Sequence, residues 1–280
     1  MPIAYLLAGG VGFAGYHVRA LSASGALAAT LVGGTVLGFG GLTWAILLVL
    51  FFASSSLLSF FRRSDPRKLR AADLFEKGST RDAAQVLANG GVAALLALLA
   101  GFADPWVGVA LFCAYTGAIA AATADTWATE IGVLSRLPPR MITTGRRVDA
   151  GTSGAVTMLG SMAALGGALF IGVSAAVLNL PAEPLRGLTP ALDRASVWWL
   201  MLGGLFGGLA GALADSLLGA SVQAMYWCPR CNKPTESAVH KCGTAARYTH
   251  GWPAVNNDVV NLLATTVGAA TALAVWLSGH

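Results

Sequence analysis

Two short acidic phrases, Ala124-Asp125-Thr126 and Ala214-Asp215-Ser216, each close a strongly apolar run, and they lie 90 residues apart. An ionised carboxylate is costly in hydrocarbon, so one at the mouth of a membrane helix marks a functional site. Near a helix C-terminus it also opposes the macrodipole, which leaves Asp125 and Asp215 unfavourable unless a cation sits beside them. Mg2+ suits such a place, because it takes one or two carboxylates and completes its shell with water and substrate phosphates. The first phrase continues as Trp127-Ala128-Thr129-Glu130. On a helix Asp125 faces with Thr129 and Thr126 with Glu130, so Asp125 and Glu130 share a metal only if the helix unwinds. An Asp that caps a following helix is the plainer alternative. No Glu or Gln stands three residues after either Asp, so the reciprocal capping box is missing.

Groups suited to phosphate stand at three other boundaries between polar and apolar sequence. Val148-Asp149-Ala150-Gly151-Thr152-Ser153-Gly154 leads into an apolar run. A Gly-Thr-Ser-Gly turn at a helix N-terminus offers backbone N–H groups and the Thr152 and Ser153 hydroxyls to an anion, and the same two residues serve equally well as helix caps. Lys77 and Arg81 close a basic stretch, and Arg81, Gln85 and Asn89 recur every four residues. They line one helix face, which is expected to point into the bundle rather than at lipid. Asn256-Asn257-Asp258 and Asn261 open the last apolar run in the same way, as metal or nucleotide ligands or as interhelical hydrogen-bonding groups. Ser216 follows the second acid as Thr126 follows the first. No Walker A pattern occurs. Gly10, Gly12 and Gly15 spell G-x-G-x-x-G without a preceding strand, and so belong to helix packing.

Cysteine use separates into two kinds. Cys113 lies within an apolar run and reads as packing. Cys228, Cys231, His240 and Cys242 form C-x2-C-x8-H-x-C, four soft ligands suited to tetrahedral Zn2+. On a reducing face a disulfide between them is disfavoured. Four protein ligands would close the shell, so this ion would brace its loop rather than catalyse; the spacing is not that of a standard finger, and His250 is a spare imidazole.

The elements that must position these groups follow from composition. Of 280 residues 55% are hydrophobic and 11% charged, and the mean hydropathy is +0.66. That is more apolar surface than one soluble core can hide. Apolar stretches at Ile3–Val18, Gly25–Phe39, Leu42–Phe61, Ala83–Phe102, Pro105–Thr123, Gly154–Leu178, Ser196–Leu213 and Asn261–Leu277 predict an all-α polytopic bundle of about eight transmembrane helices, at roughly 20 residues per crossing. The first two are short enough to form a re-entrant pair. The start lacks a basic n-region and a cleavage site, so the first span is expected to be retained, in one integral membrane domain over residues 1–280 with no soluble domain at either end.

Cations concentrate in three loops, a basic one at 62–82, an acidic and phosphate-binding one at 124–153, and a Cys/His one at 225–250. If each stretch spans once, all three share a face, and the positive-inside rule makes it cytoplasmic. The pI near 9.3 therefore reflects topology and attraction for phosphate rather than nucleic-acid binding. Tyr115–Asp125 overlays Leu205–Asp215 without a gap. Both runs go the same way through the membrane, which predicts a parallel internal repeat with its two acids meeting at the cytoplasmic surface. Gly203, Gly207 and Gly211 leave one helix face open to close backbone approach.

Taken in order, Lys77 to Gly91, Ala124 to Gly132, Gly151 to Thr157, Asp215-Ser216-Leu217-Leu218-Gly219 and Asn256 to Asn261 make the chain resemble an integral membrane family long catalogued as domain of unknown function 92, to which a plant chloroplast phytyl-phosphate kinase belongs. The resemblance covers nearly the whole chain, and the Cys/His loop departs from the plant pattern. It implies a membrane kinase that uses a nucleoside triphosphate, CTP among the candidates, to convert an isoprenoid monophosphate to its diphosphate. On that reading Asp125, Glu130, Asp215 and Asp258 hold Mg2+, directly or through water. Lys77 and Arg81 neutralise phosphates, Thr152 and Ser153 cradle them, and Asn89, Asn256 and Asn257 orient them, with Thr129 and Ser216 beside the acids. The expected partners are the isoprenoid phosphate, the nucleotide and membrane lipid, in the plasma membrane of a prokaryote, with a homo-oligomer left open. The alternative is a transporter of a phosphorylated or cationic solute, because carboxylates between parallel repeats also serve carriers; a lipid-embedded scaffold that docks a partner through its zinc loop is a third.

Overall fold

The computed structural model describes residues 1–62, 80–180 and 194–279. Lys77 and most of the first basic loop lie outside them. Among the described residues are eight α-helices: α1 (Pro2–His17), α2 (Ala23–Thr35, its end widened into a π turn at Val36–Gly40), α3 (Leu42–Arg62), α4 (Ala83–Ala100), α5 (Pro105–Gly132), α6 (Met158–Leu178), α7 (Arg194–Ser221) and α8 (Asn257–Ser278). Seven are long and apolar enough to cross a membrane. The exception, α1, has 16 residues, about 24 Å at the helical rise and short of the roughly 30 Å hydrocarbon layer. It packs along α2 with Gly12 against the Ala26 carbonyl, and Gly15 sits against Leu21 and Phe52, so these two glycines serve packing as expected, whereas Gly10 faces open space. Ile3, Leu6, Phe13, Leu27, Leu31, Met162 and Trp198 stand exposed. On a soluble protein this would be an interaction patch; here it is the lipid-facing surface.

Local chemistry sets where the helices begin. Asp82 and Gln85 form a reciprocal capping box at α4, with Gln85 N–H donating to the Asp82 carboxylate at 3.0 Å. Asp104 accepts from Trp106 and Val107 at the start of α5, whose first residue is a proline. Asn256 accepts from Val259 at 3.0 Å and caps α8. At α6 the cap is Thr157, which accepts from Gly160 at 2.9 Å, and not Thr152 or Ser153. Residues 140–156 instead close a two-stranded hairpin, β1 (Arg140–Met141) with β2 (Ala155–Val156), and this pushes the start of the sixth span from Gly154 to Met158. The small strands are additions to the all-α expectation.

The core is a bundle of α5, α6, α7 and α8 welded by small residues. A Cβ placed on Gly203, Gly207 or Gly211 of α7 would fall 2.7 Å from Cys113 Sγ, 3.0 Å from Gly117 Cα and 3.2 Å from Ala121 Cα of α5. Each pair is separated by 90 in sequence and recurs every four residues. The two helices therefore run parallel and in register, as the internal repeat predicted. Helix α8 lies over their seam, with the Gly268 carbonyl 2.6 Å from the Cβ position of Gly207, and α6 closes the far side through Gly167 against Ala124. Cys113 is buried in this core and donates to the Ala272 carbonyl at 3.4 Å, in keeping with packing.

The last polar loop folds as a three-stranded antiparallel sheet of β3 (Met225–Cys228), β4 (Lys233–Thr235) and β5 (Arg247–His250) in the order β4-β3-β5. It is fastened to the ends of α7 and α8, where Ala224 N–H donates to Val255 and Trp252 N–H to Val222, both at 2.8 Å.

Candidate functional site

Helix α5 does not stop at its acid. No helix breaker occurs before Gly132, and Thr126 returns its hydroxyl to the Ala122 carbonyl at 2.8 Å, so the helix continues seven residues beyond Asp125. Helix α7 likewise runs six residues past Asp215, to Ser221. Both acids are thus interior helical residues rather than C-terminal or loop residues. The stretch from 124 to 132, expected to open a loop, is helix. From Pro105 to Asp125 is about 30 Å of helix, about the thickness of the hydrocarbon layer.

The in-register seam continues one more turn beyond Ala121 and Gly211, and Asp125 and Asp215 come within hydrogen-bonding reach of each other. Two carboxylates this close repel unless a cation or a proton lies between them. The Asp215 Oδ2 atom is buried and has no hydrogen-bond partner. A third carboxylate, Glu236, is 8% exposed and acts electrostatically on Asp215. It comes from the Cys/His sheet, just past β4, and sequence reasoning missed it. Its spacing carries no signal, because only the folding of the sheet over the bundle brings it near.

The carboxylates border a cavity of about 470 Å3. Of the residues expected at the site, Arg81, Asn89, Asp125, Thr129, Glu130, Thr152, Ser153, Asp215, Ser216 and Asn257 line it, together with Gln85 and Asn261. Arg81, Gln85 and Asn89 thus reach one cavity, but only Gln85 and Asn89 share a helix face: Arg81 precedes the Asp82 cap and is placed by its bridge to Leu21. Asn256 and Asp258 do not line the cavity; Asn256 is spent on capping α8 and Asp258 stands in its first turn, where the helix dipole favours an acid. Glu130 does line it, but apart from the other acids. The helix stays intact, so residues five apart point in different directions, and Glu130 instead accepts from Ser59 at 2.8 Å and faces Arg81. The unwinding that would let Asp125 and Glu130 share one ion does not occur.

Arg81 is held at both its ends. Its backbone bridges the α1–α2 turn, with Arg81 N–H donating to Ala20 and Ser22 N–H to Arg81, both at 2.9 Å. Its guanidinium donates to Ser56 at 3.2 Å and lies over the rings of Phe51 and Phe52, at 5.9 and 5.8 Å. Burial lowers its pKa from the ordinary arginine value, and Glu130 acts in the opposite direction. Thr152 and Ser153 give their hydroxyl protons to the Asp149 carbonyl and to Gln223 Oε1, both at 2.8 Å. An anion at this loop would accordingly be held by backbone N–H groups between Gly151 and Gly154, whose φ values of +95 and +75 curve the chain around it.

A second, apolar groove of about 150 Å3 runs between α1, α2, α3 and α4, walled by Leu7, Val11, Val32, Leu48 and Phe52. Arg81, Gln85 and Asn89 line this groove too, so these three side chains form a wall common to it and the polar cavity.

In the sheet above, Cys228, Cys231, His240 and Cys242 place one ligand atom each within 4.8 Å of one another. The hydrogen bond with Thr244, and after it His240, lowers the Cys242 thiol to about 5, whereas hydrogen bonding with Cys242 raises Cys231 to about 11. His250 lies apart on β5, beside Thr249.

A family profile described as integral membrane protein DUF92 matches residues 6–269. The chain is 31% identical over 264 residues to Protein PGR of Arabidopsis thaliana, covering 90% of this chain and 88% of that one. It is 38% identical over 155 residues to an uncharacterized membrane protein of Methanocaldococcus jannaschii, covering 55% and 61%. No solved structure matches.

Proposed function

Because the chain belongs to the integral membrane DUF92 family, we propose that it is a membrane-embedded, Mg2+-dependent kinase that transfers a phosphoryl group from a nucleoside triphosphate, with CTP the first candidate, to an isoprenoid monophosphate such as phytyl or geranylgeranyl phosphate. The observation that carries this reading is that two cavities of opposite character share Arg81, Gln85 and Asn89 as a common wall. An amphiphile with an anionic head fits that pairing. Its chain enters the groove between α1 and α4 and its head turns past Arg81 toward the carboxylates. The 470 Å3 cavity is of a size that holds a polar ligand, and Arg81 is the only Lys or Arg among the described residues that line it.

Asp125, Asp215 and Glu236 fit a hard divalent cation, since three carboxylates converge and one Asp215 oxygen is open. Bound there, Mg2+ would neutralise phosphate charge. Phosphoryl transfer otherwise needs mainly positioning. An oxygen of the lipid phosphate, already ionised, forms the new bond to the terminal phosphorus, the bond from that phosphorus to its bridging oxygen breaks, and nucleoside diphosphate leaves. No general base is required. Arg81 steadies the acceptor phosphate, and Asn89, Asn257 and Asn261 orient the polyphosphate. The same arrangement puts the chemistry at the membrane edge rather than at the midplane where carriers bind. By the positive-inside rule that edge is cytoplasmic, in a prokaryotic plasma membrane.

The test is mass spectrometry of purified protein with Mg2+, geranylgeranyl or phytyl monophosphate, and CTP, ATP, GTP and UTP offered separately. Diphosphate formed with one nucleotide, and lost in Asp125→Asn, is the expected result. Folded wild type that makes no product with any pair overturns the kinase and favours transport of a phosphorylated solute.

A further inference from the structure

The Cys/His sheet has two properties that the phosphotransferase reading leaves unused. First, its four ligand groups lie within 4.8 Å of one another, close enough for one ion to reach them all. The Cys228 and Cys242 sulfurs are 3.6 Å apart, and a tetrahedron with Zn–S bonds of roughly 2.3 Å has S···S edges of about 3.8 Å. The Cys231 N–H donates to the Cys228 sulfur at 3.5 Å. His240 is 7% exposed, with Nδ1 3.3 Å from the Cys242 nitrogen and Nε2 buried without a hydrogen-bond partner. A buried polar atom left so needs an explanation; zinc on Nε2 would place the ring proton on Nδ1 and displace the Cys242 N–H from it. The sheet itself consists of strands of three or four residues, too small to be held by burial alone.

Second, Glu236 sits on the segment that these ligands bracket. Strand β4 pairs with β3 from Cys228↔Lys233 to Tyr226↔Thr235, and Glu236 is the first residue past the end of that ladder. Its position therefore depends on how the chain closes from Cys231 round to His240. A carboxylate that is 8% exposed would turn outward to water if that closure loosened.

We infer that Cys228, Cys231, His240 and Cys242 bind one Zn2+, and that this ion holds Glu236 in place as the third carboxylate of the Asp125–Asp215 site. The zinc is a structural ion of a cap, and Glu236 is the means by which the cap reaches the cavity. The second half rests on the reading of Asp125 and Asp215 as a divalent-cation site.

Elemental analysis of detergent-purified protein should find one zinc per chain, and Co2+ in its place should show the visible bands of a tetrahedral thiolate site. Mn2+ binding, followed by electron paramagnetic resonance with no nucleotide or lipid added, then reads the cation site. Glu236→Gln should keep its zinc and bind Mn2+ about tenfold more weakly. Cys231→Ser should lose zinc and weaken Mn2+ by the same factor, and the double variant should lose no more than either alone. Stripping zinc from the wild type under reducing conditions and restoring it should remove and return Mn2+ affinity, which gives the comparison without a substitution. Wild type that takes up no zinc overturns the first half. Loss of zinc with Mn2+ affinity unchanged overturns the second. One zinc per chain with no Mn2+ binding by the wild type overturns both the role of Glu236 and the cation site on which the kinase depends, and leaves the zinc centre standing.

Discussion

Replacing Gly207 with alanine tests whether the glycine seam sets the distance between the two acids. The new Cβ would fall 2.6 Å from the Gly268 carbonyl oxygen, 3.0 Å from Gly117 Cα and 3.2 Å from Ala272 Cβ. Ordinary contacts are roughly 3.4 Å or more, so α7 must retreat by about 0.8 Å. The nearest obstacles are backbone on α8 and α5, which cannot rotate aside. Overpacking of this kind costs about 1–3 kcal/mol, and the thermal midpoint in detergent should fall accordingly. Asp215 lies two turns further along the same helix, about 12 Å away, so the retreat carries over to its approach to Asp125. A displacement near 1 Å costs up to about 100-fold in rate. Gly207→Ala should therefore bind Mn2+ about tenfold more weakly and turn over at least tenfold more slowly at a temperature where it is fully folded. Gly91→Ala is the control, because a Cβ there has nothing within 4 Å; it should be neutral or stabilising by up to about 1 kcal/mol. Gly207→Ala with a lowered midpoint but wild-type Mn2+ affinity and turnover would refute the argument that backbone contact along the seam positions the acids.

Other perturbations separate positioning from chemistry. A Cβ on Gly25 would collide with the Arg81 carbonyl, so Gly25→Ala should raise the KM for the lipid phosphate several-fold with little change in nucleotide KM; equal effects on both would dissociate Arg81 from the acceptor. Arg81→Lys loses the planar fork that bonds Ser56, and should raise the lipid-phosphate KM about tenfold, or ~1.4 kcal/mol, as read from initial rates. Tyr115→Phe removes the buried hydroxyl that donates to the Trp44 carbonyl at 2.6 Å. It should cost about 1–3 kcal/mol in thermal or denaturant unfolding while turnover per folded molecule stays unchanged, and a selective loss of turnover would count against a purely structural role.

Local properties of the chain determined its membrane spans, the four-residue spacing of Arg81, Gln85 and Asn89, the Cys/His ligand set and the pairing of two equivalent acids. Each is visible in sequence because hydropathy, helical period and ligand spacing depend on neighbours a few residues away. The repeat was legible for the same reason, since Gly117 and Gly207 mark the same point in two copies of one pattern. What tertiary structure alone decided is which groups meet across helices. Glycines that admit a neighbouring backbone set the rotation of α5 against α7 and so turn Asp125 to Asp215. An unbroken α5 carried Glu130 away to Ser59 and Arg81. Capping claimed Asn256, and a hairpin moved the start of α6 to Met158, with Thr157 as its cap. The apolar groove and Glu236 left no trace in sequence, because a groove is the space between four helices, and Glu236 reaches the cavity only when the sheet that begins four residues past Ser221 folds back over the bundle. Contacts of that range follow from the shape of the packed whole, which no local spacing encodes.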